Sequence, residues 1–129
     1  IEDEIIPLSE ALGLGQVVFS PLAQGVLTGK YKMGEAAPVG SRAADPNSAN
    51  MIARFMTEEN FSKVDQLAVI AQEIGISLPQ LSLAWVLRQP NVSSALIGAS
   101  RPEQIDENVK AVDINLSKEI LERIEEIIK

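Results

Sequence analysis

Glycine and polar residues follow two short apolar runs of the sequence, and these residues are the best suited to chemistry. After Ser94-Ala95-Leu96-Ile97 comes Gly98-Ala99-Ser100-Arg101-Pro102-Glu103-Gln104. If a helix begins there, its free backbone N–H groups, the Ser100 hydroxyl and the Arg101 guanidinium form a ready anion site. The simpler alternative is that Ser100 only caps the helix and Arg101 is solvated. The segment lacks a G-x-G-x-x-G pattern, which excludes a Rossmann fingerprint.

A second polar segment, Ser20-Pro21-Leu22-Ala23-Gln24-Gly25, follows the apolar run Gln16–Phe19. In α/β barrels the active site lies at the carboxyl ends of the strands, and the loops after the last two strands often hold phosphate. If the two apolar runs are those strands, both loops face one phosphate ligand. Otherwise Ser20 and Pro21 simply end a strand.

A third segment, residues 25–31, resembles a P-loop but fails its pattern. The glycines at 25 and 29 are one residue too close, and Tyr31 stands where Mg²⁺ binding requires Ser or Thr. We therefore reject ATP binding through this loop. Lys30 remains able to meet a pyrophosphate as a point charge.

The composition excludes several classes of function. The chain has 129 residues, 11 Lys and Arg against 18 Asp and Glu, and a formal net charge of −7. This acidity argues against nucleic-acid binding and against adsorption to anionic membranes. Cysteine and histidine are both absent, which removes thiol and imidazole chemistry and leaves no expected metal site. With no apolar run near 18 residues, we expect a cytoplasmic protein.

The elements that must position these residues alternate between helix and strand. Apolar spacing predicts a helix over residues 1–12, a strand over 16–20, and a long loop over 21–50 with one helical turn. It then predicts two helices over about 57–74 and 77–89, a strand over 94–98, and two further helices. Such alternation favours a parallel α/β sheet, yet two strands are too few. Because the chain opens inside a helix, we interpret it as a fragment whose missing strands precede Ile1. In the helix after Ser100 we expect Ile105, Val109 and Val112 to face inward.

Four motifs together resemble the aldo-keto reductases, over essentially the whole chain. They are Phe19–Tyr31 as the seventh strand and its loop, Gly40-Ser41-Arg42 as the following turn, Gln80–Leu87 as a helix, and Ile97–Asn108 as the eighth strand and its cofactor loop. Gly-Ala-Ser in the last motif is typical of the bacterial and potassium-channel-β-subunit-like branches. The resemblance implies an α/β fold: the C-terminal part of a (β/α)8 TIM barrel, from about helix 6 through strand 8 and the terminal helices. Residues 1–129 would be the C-terminal portion of one barrel domain, with its N-terminal part missing.

The resemblance also implies a bound NADP(H) and assigns residues to it. Phe19 would stack on the nicotinamide ring, and Lys30 and Arg42 would belong to a loop folded over the cofactor. The nicotinamide ribose and pyrophosphate would be lined by Ser20, Pro21, Leu22, Ala23 and Gln24. The adenosine 2′-phosphate side would be held by Gly98, Ser100, Arg101 and Gln104, and the adenine by Glu107 and Asn108.

The implied function is NADP(H)-dependent reduction of aldehydes or ketones, with a small carbonyl compound as substrate. The family's catalytic Asp, Tyr, Lys and His lie on earlier strands, so we assign no catalytic residue here and expect this chain alone to be inactive. Its expected partner is the N-terminal half of the barrel, or a second copy of itself. The alternative is a non-enzymatic nucleotide-sensing or interaction module, like a channel β subunit.

Overall fold

Two parallel strands form the centre of the fold. The computed structural model describes all residues, Ile1–Lys129. Strand β1 is Gln16–Phe19 and strand β2 is Val92–Leu96, and they pair directly, with Phe19 opposite Leu96. The predicted parallel α/β arrangement is thus observed, although β2 begins and ends two residues earlier than the sequence predicts. Parallel pairing brings both carboxyl ends to one edge of the sheet.

Six α-helices accompany the strands. They are α1 (Ile5–Ala11), α2 (Ala49–Ala53), α3 (Glu58–Glu73), α4 (Leu78–Leu87), α5 (Pro102–Val109) and α6 (Lys118–Ile128). Short 3₁₀ segments lie at Ala23–Thr28, Arg42–Ala44 and Lys110–Asp113. Residues 21–50 contain more helix than the predicted long loop with one helical turn, namely two 3₁₀ segments and the start of α2. The first helix is also shorter than predicted.

Local capping explains where α3 starts and stops. The Thr57 hydroxyl accepts a hydrogen bond from the Asn60 N–H, 3.2 Å away. At the other end Gly75 has a φ of +73°, and the N–H groups of Gly75 and Ile76 donate to the carbonyls of Gln72 and Ala71. This pair of hydrogen bonds is the Schellman motif, for which glycine is the favoured residue.

A capping box begins α4 and ties it to α5. The Ser77 hydroxyl accepts from the Gln80 N–H, while Gln80 Oε1 accepts from the Ser77 N–H at 3.0 Å. The Gln80 side chain is buried, and its Nε2 donates to the Glu107 carbonyl at 3.0 Å. One side chain therefore satisfies a helix end and fixes α5 relative to α4.

The hydrophobic core lies where α3 and α4 meet α6 and the loop after β1. Its buried members are Val26, Tyr31, Ile52, Phe61, Val64, Leu67, Ile70, Ala71, Leu78, Leu81 and Ile124. Three of these, Val26, Tyr31 and Ile52, come from the region between β1 and α3. The loop after β1 is therefore anchored in the core rather than free in solvent.

Several apolar side chains have no neighbour in this chain. Val17, Phe19 and Leu96 are each more than half exposed on one face of the sheet. The inward prediction for Ile105, Val109 and Val112 was wrong, because all three are exposed and no element of the chain packs against that side of α5. No single helix has both the length and the hydropathy of a membrane span; α3 and α4 meet that criterion only as a pair, bent by 92°.

We expect Ser77→Ala to weaken the first turn of α4. Loss of a serine N-cap costs typically about 1 kcal/mol, which corresponds to roughly fivefold faster hydrogen exchange of the first-turn amides. The matched control is Ser62→Ala, which removes an exposed hydroxyl from the interior of α3. Equal exchange in the two variants would show that the capping box contributes nothing.

We also expect the isolated 129-residue chain to self-associate, because exposed apolar sheet surface and unpaired strand edges drive association. Size-exclusion chromatography with light scattering measures this. Val17→Lys on the exposed sheet face should reduce association, whereas Val39→Lys, in the loop, should not. A monomeric chain with slow hydrogen exchange in both strands would contradict the expectation.

Candidate functional site

A cleft of about 850 Å³ opens at the carboxyl edge of the sheet. Its walls are the ends of β1 and β2, the first turns of α5, and a segment of residues 30–48 that we call the strap. The lining is mostly polar, and only four of its 23 residues are hydrophobic. Such a surface suits a polar, extended ligand better than an apolar one.

The β1 wall consists of a turn with unusual backbone geometry. Ser20, Ala23 and Gln24 have φ values of +53°, +46° and +59°, and Gly25 follows at +101°. L-residues adopt this left-handed region only at a cost, so surrounding contacts must maintain it. One of these contacts is the hydrogen bond from Gln24 Nε2 to Ser20 Oγ, at 2.6 Å.

The strap is held at both ends and carries two cations into the cleft. The buried Tyr31 ring lies in the core, and its hydroxyl accepts from the Ala43 N–H at 3.4 Å. Lys30 Nζ lies 5.2 Å from the centre of that ring. Arg42 donates through Nη1 to Gln24 Oε1, which connects the strap to the β1 turn.

The β2 wall differs from its prediction in one respect. The N-cap of α5 is Arg101, which has an extended backbone and whose side chain makes no capping hydrogen bond. Ser100 is therefore not the N-cap. Instead both the N–H and the hydroxyl of Ser100 contact Gln104 Oε1, at 2.8 and 3.2 Å. Ser100 therefore donates to the Gln104 side chain, whereas the hydroxyl of a capping serine accepts from a first-turn N–H.

Two residues one turn further along α5 have different environments. Asn108 is buried against the cleft, while the Glu107 carboxylate binds Lys110 Nζ at 3.1 Å. The hydrogen bond from Lys110, followed by one from Ser77, holds the pKa of Glu107 below its usual value. Glu107 is therefore ionised at neutral pH and already partnered.

The charges of the cleft favour an anionic ligand. Six of the eleven Lys and Arg residues form ion pairs with carboxylates, and Lys30, Arg42 and Arg101 are three of the five that do not. All three line the cleft. Asp45 lines it too, but hydrogen bonds from the Ser48 hydroxyl and the Asn47 N–H occupy its carboxylate and lower its pKa. Glu103 is the one lining carboxylate without a hydrogen bond, so the charged groups of the cleft that have no oppositely charged partner and no such hydrogen bond are three cations and one anion.

The structure brings together twelve of the fourteen residues predicted for a ligand site. They are Ser20, Pro21, Leu22, Gln24, Lys30, Arg42, Gly98, Ser100, Arg101, Gln104, Glu107 and Asn108. Ala23 and Phe19 do not line the cleft. Phe19 is 78% exposed at the end of β1, with Leu96 as its neighbour on β2.

Sequence reasoning missed Ser41, Asp45 and Ser48 as lining residues. The Asp-Pro-Asn spacing from Asp45 is a turn signal that would have located two of them. Ser41 lies in the Gly40-Ser41-Arg42 turn motif, of which only Arg42 was assigned to the ligand; it is 6% exposed, and its Oγ is buried without a hydrogen-bond partner. A buried hydroxyl without a partner is costly and marks a place where a further polar group fits.

The arrangement is chemically a binding surface. Its free groups are guanidinium, ammonium, hydroxyl and amide, all of which hold oxyanions. The only tyrosine is buried in the core, and two of the three carboxylates, those of Asp45 and Glu107, already accept hydrogen bonds. We find no pair of side chains within the cleft arranged for general acid–base transfer.

Comparisons with known proteins agree with this description. A sequence profile of the Aldo/keto reductase family matches residues 1–129. The chain is 44% identical over 131 residues to a "probable voltage-gated potassium channel subunit beta" of Oryza sativa subsp. japonica and 45% identical to one of Arabidopsis thaliana. All of this chain is aligned in both cases, but it spans only 40% of each relative.

A solved structure shows the same fold. The glycerol dehydrogenase of Gluconobacter oxydans matches 99% of this chain with a TM-score of 0.77 and 28% sequence identity, and the match spans 38% of that enzyme. The family profile matches the whole of this chain, and the solved structure shares its fold. The chain therefore belongs to the aldo/keto reductase family.

Proposed function

We propose that this chain provides the dinucleotide-binding part of an NADP(H)-dependent oxidoreductase that reduces aldehydes or ketones. The observation that carries the proposal is the cleft itself. Three cations without carboxylate partners converge where both strands end, in a chain whose net charge is −7. A ligand with several phosphate groups satisfies such a site, and an NADP(H) molecule has three.

The residues present fit that group on several counts. Arg42 and Lys30 on one wall and Arg101 on the other offer positive charge to separate phosphates. The orphaned Ser41 Oγ supplies a place for one more hydrogen bond. A Cβ added at Gly98 would meet no atom within 4 Å, so the cleft is open beside the residues that follow β2.

Each wall has a separate role in the proposed site. Lys30, Arg42 and the backbone of the Ser20–Gln24 turn bind the pyrophosphate and the nicotinamide ribose. Ser100, Arg101 and Gln104 bind the 2′-phosphate, and Asn108 faces the adenine. Phe19 orients the nicotinamide ring, and a bound nicotinamide supplies the hydride for carbonyl reduction.

The proposed protein includes more of the barrel than this chain. The relatives are about two and a half times as long, and Val17, Phe19 and Leu96 present an uncovered apolar sheet face. We propose that the remaining strands of a (β/α)8 barrel, and with them the catalytic groups, cover this face. The chain together with those strands is called the assembled protein below.

A second function is favoured by the printed names of the plant relatives. Both are described as probable potassium channel β subunits, so the site is alternatively a nucleotide sensor in a larger assembly. NADPH oxidation by the assembled protein, followed by absorbance with a panel of small aldehydes, separates the two. Turnover supports the reductase, whereas tight NADP⁺ binding without turnover supports the sensor.

We expect Arg101→Ala in the assembled protein to weaken NADP⁺ binding more than NAD⁺ binding. Loss of a charge-assisted hydrogen bond to the 2′-phosphate costs about 1.5–3 kcal/mol, and NAD⁺ lacks that phosphate. Calorimetric titration measures both affinities. The matched control is Arg54→Ala, an arginine that is also outside any ion pair but stacks on Phe55, away from the cleft. Equal losses for the two nucleotides would contradict the 2′-phosphate assignment.

We expect Phe19→Ala to slow hydride transfer. It should also weaken NADP⁺ binding by about 0.5–1.5 kcal/mol, because a stacking contact is lost. Binding of 2′,5′-ADP, which lacks the nicotinamide, should be unchanged. Val17→Ala, on the same face of β1, is the control. If both variants leave the single-turnover rate at its original value, Phe19 only packs against the rest of the barrel.

A further inference from the structure

The backbone conformation at position 24 does not explain why this residue is a glutamine. Gln24 has a φ of +59°, in the left-handed region that glycine enters without steric cost and asparagine enters more easily than glutamine. The adjacent Gly25 already supplies one freely adjustable residue to the turn. Backbone geometry alone therefore gives no reason for a glutamine at this position, and its side chain must be considered.

The Gln24 amide connects two parts of the cleft. Its Nε2 donates to Ser20 Oγ at 2.6 Å, at the end of β1. Its Oε1 accepts from Arg42 Nη1, on the strap 18 residues further along the chain. Gln24 is the one side chain that hydrogen-bonds the Arg42 guanidinium, and no carboxylate forms an ion pair with it.

A neutral amide has a specific effect on an arginine. It fixes the direction of the guanidinium through one N–H and leaves the remaining N–H groups and the full positive charge available. A carboxylate at the same place would fix the guanidinium more firmly but would also compensate its charge. A side chain with no acceptor would leave Arg42, which is exposed, free to sample many rotamers.

We propose that Gln24 is a positioning residue that holds the Arg42 guanidinium toward the cleft for a phosphate group. The ligand chemistry is a diphosphate, and the inference rests on the proposed dinucleotide site. Ser20 takes part by fixing the Gln24 amide: its hydroxyl accepts from Nε2, which leaves Oε1 directed at the strap. The strained turn after β1 thereby determines where a cation of the distant strap lies.

A double-mutant cycle in the assembled protein tests this dependence. NADP⁺ and inorganic pyrophosphate are titrated calorimetrically against the original protein, Gln24→Ala, Arg42→Ala and the double variant. We expect each single variant to lose about tenfold in affinity, as for one charge-assisted hydrogen bond. The double variant should be no weaker than Arg42→Ala alone, because Gln24 acts only through Arg42. The proposal would be overturned if the affinity loss of the double variant equalled the product of the two single-variant losses.

Two further substitutions distinguish positioning from a purely structural role. Gln24→Asn suits the left-handed backbone better but is too short to reach both partners, so the melting temperature should be kept while affinity falls. Gln24→Glu keeps the acceptor but adds a charge, and it should lose more affinity than Gln24→Ala. Full affinity in Gln24→Asn, or a smaller loss in Gln24→Glu than in Gln24→Ala, would contradict positioning by a neutral amide.

The outcomes also separate this inference from the proposed function. If the original protein binds pyrophosphate but not NADP⁺, the dinucleotide assignment fails, and the Gln24 inference is judged on pyrophosphate alone. If it binds NADP⁺ and the cycle shows no coupling, only the Gln24 inference fails. If it binds neither compound, both are overturned.

Discussion

The parallel pairing of β1 with β2 is the constraint on which the rest of the structure depends. Two adjacent parallel strands end at the same edge, so the loop after each one necessarily begins there. Placing Phe19 opposite Leu96 brings Ser20 and Gly98, which are 78 positions apart in the sequence, to the same cleft. An antiparallel pair, or a third strand between them, would have separated the two loops and with them the cations that face each other.

The crossover between the strands does more than connect them. Helices α3 and α4 form the main part of the core, and Tyr31 and Val26 enter the same core from the loop after β1. Because the strap is fixed by these buried contacts, Lys30 and Arg42 are carried on an anchored segment rather than on a free loop. The Gln80 side chain has the corresponding role for the opposite wall, since it ties α5 to the first turn of α4. Fold stability and site geometry therefore depend on the same few contacts.

The sequence predicted the parts of the fold that local patterns determine. The ends of α3 and the start of α4 were predicted closely, because the caps at Thr57 and Ser77 and the glycine after α3 are each decided within about four residues. The Ser100 cap was wrong because α5 begins one residue later than that prediction requires, with Arg101 as its N-cap, and the Ser100 hydroxyl donates to Gln104 Oε1 rather than accepting from a first-turn N–H. The contact between Gln24 and Arg42 crosses a region without periodicity, so no pattern in the sequence indicated it. The inward face of α5 was wrong for another reason: its apolar spacing is real, but burial depends on whether any element packs against it.

The charge of the cleft depends on which cations form ion pairs with carboxylates, not on the overall composition of the chain. An acidic chain has enough carboxylates to neutralise every cation, and six cations are in fact paired. Those in the cleft are not, and two of its three carboxylates already accept other hydrogen bonds: Asp45 from Ser48 and Asn47, and Glu107 from Lys110. The same hydrogen bonds keep both carboxylates ionised. An ion pair with Arg42 would therefore replace hydrogen bonds that they already make, and the Arg42 guanidinium is already hydrogen-bonded by the neutral Gln24 amide. A net charge of −7 predicts poor binding of polyanions by the surface as a whole. A site for one phosphorylated ligand is compatible with that charge, because salt screens each exposed charge beyond about 8–10 Å.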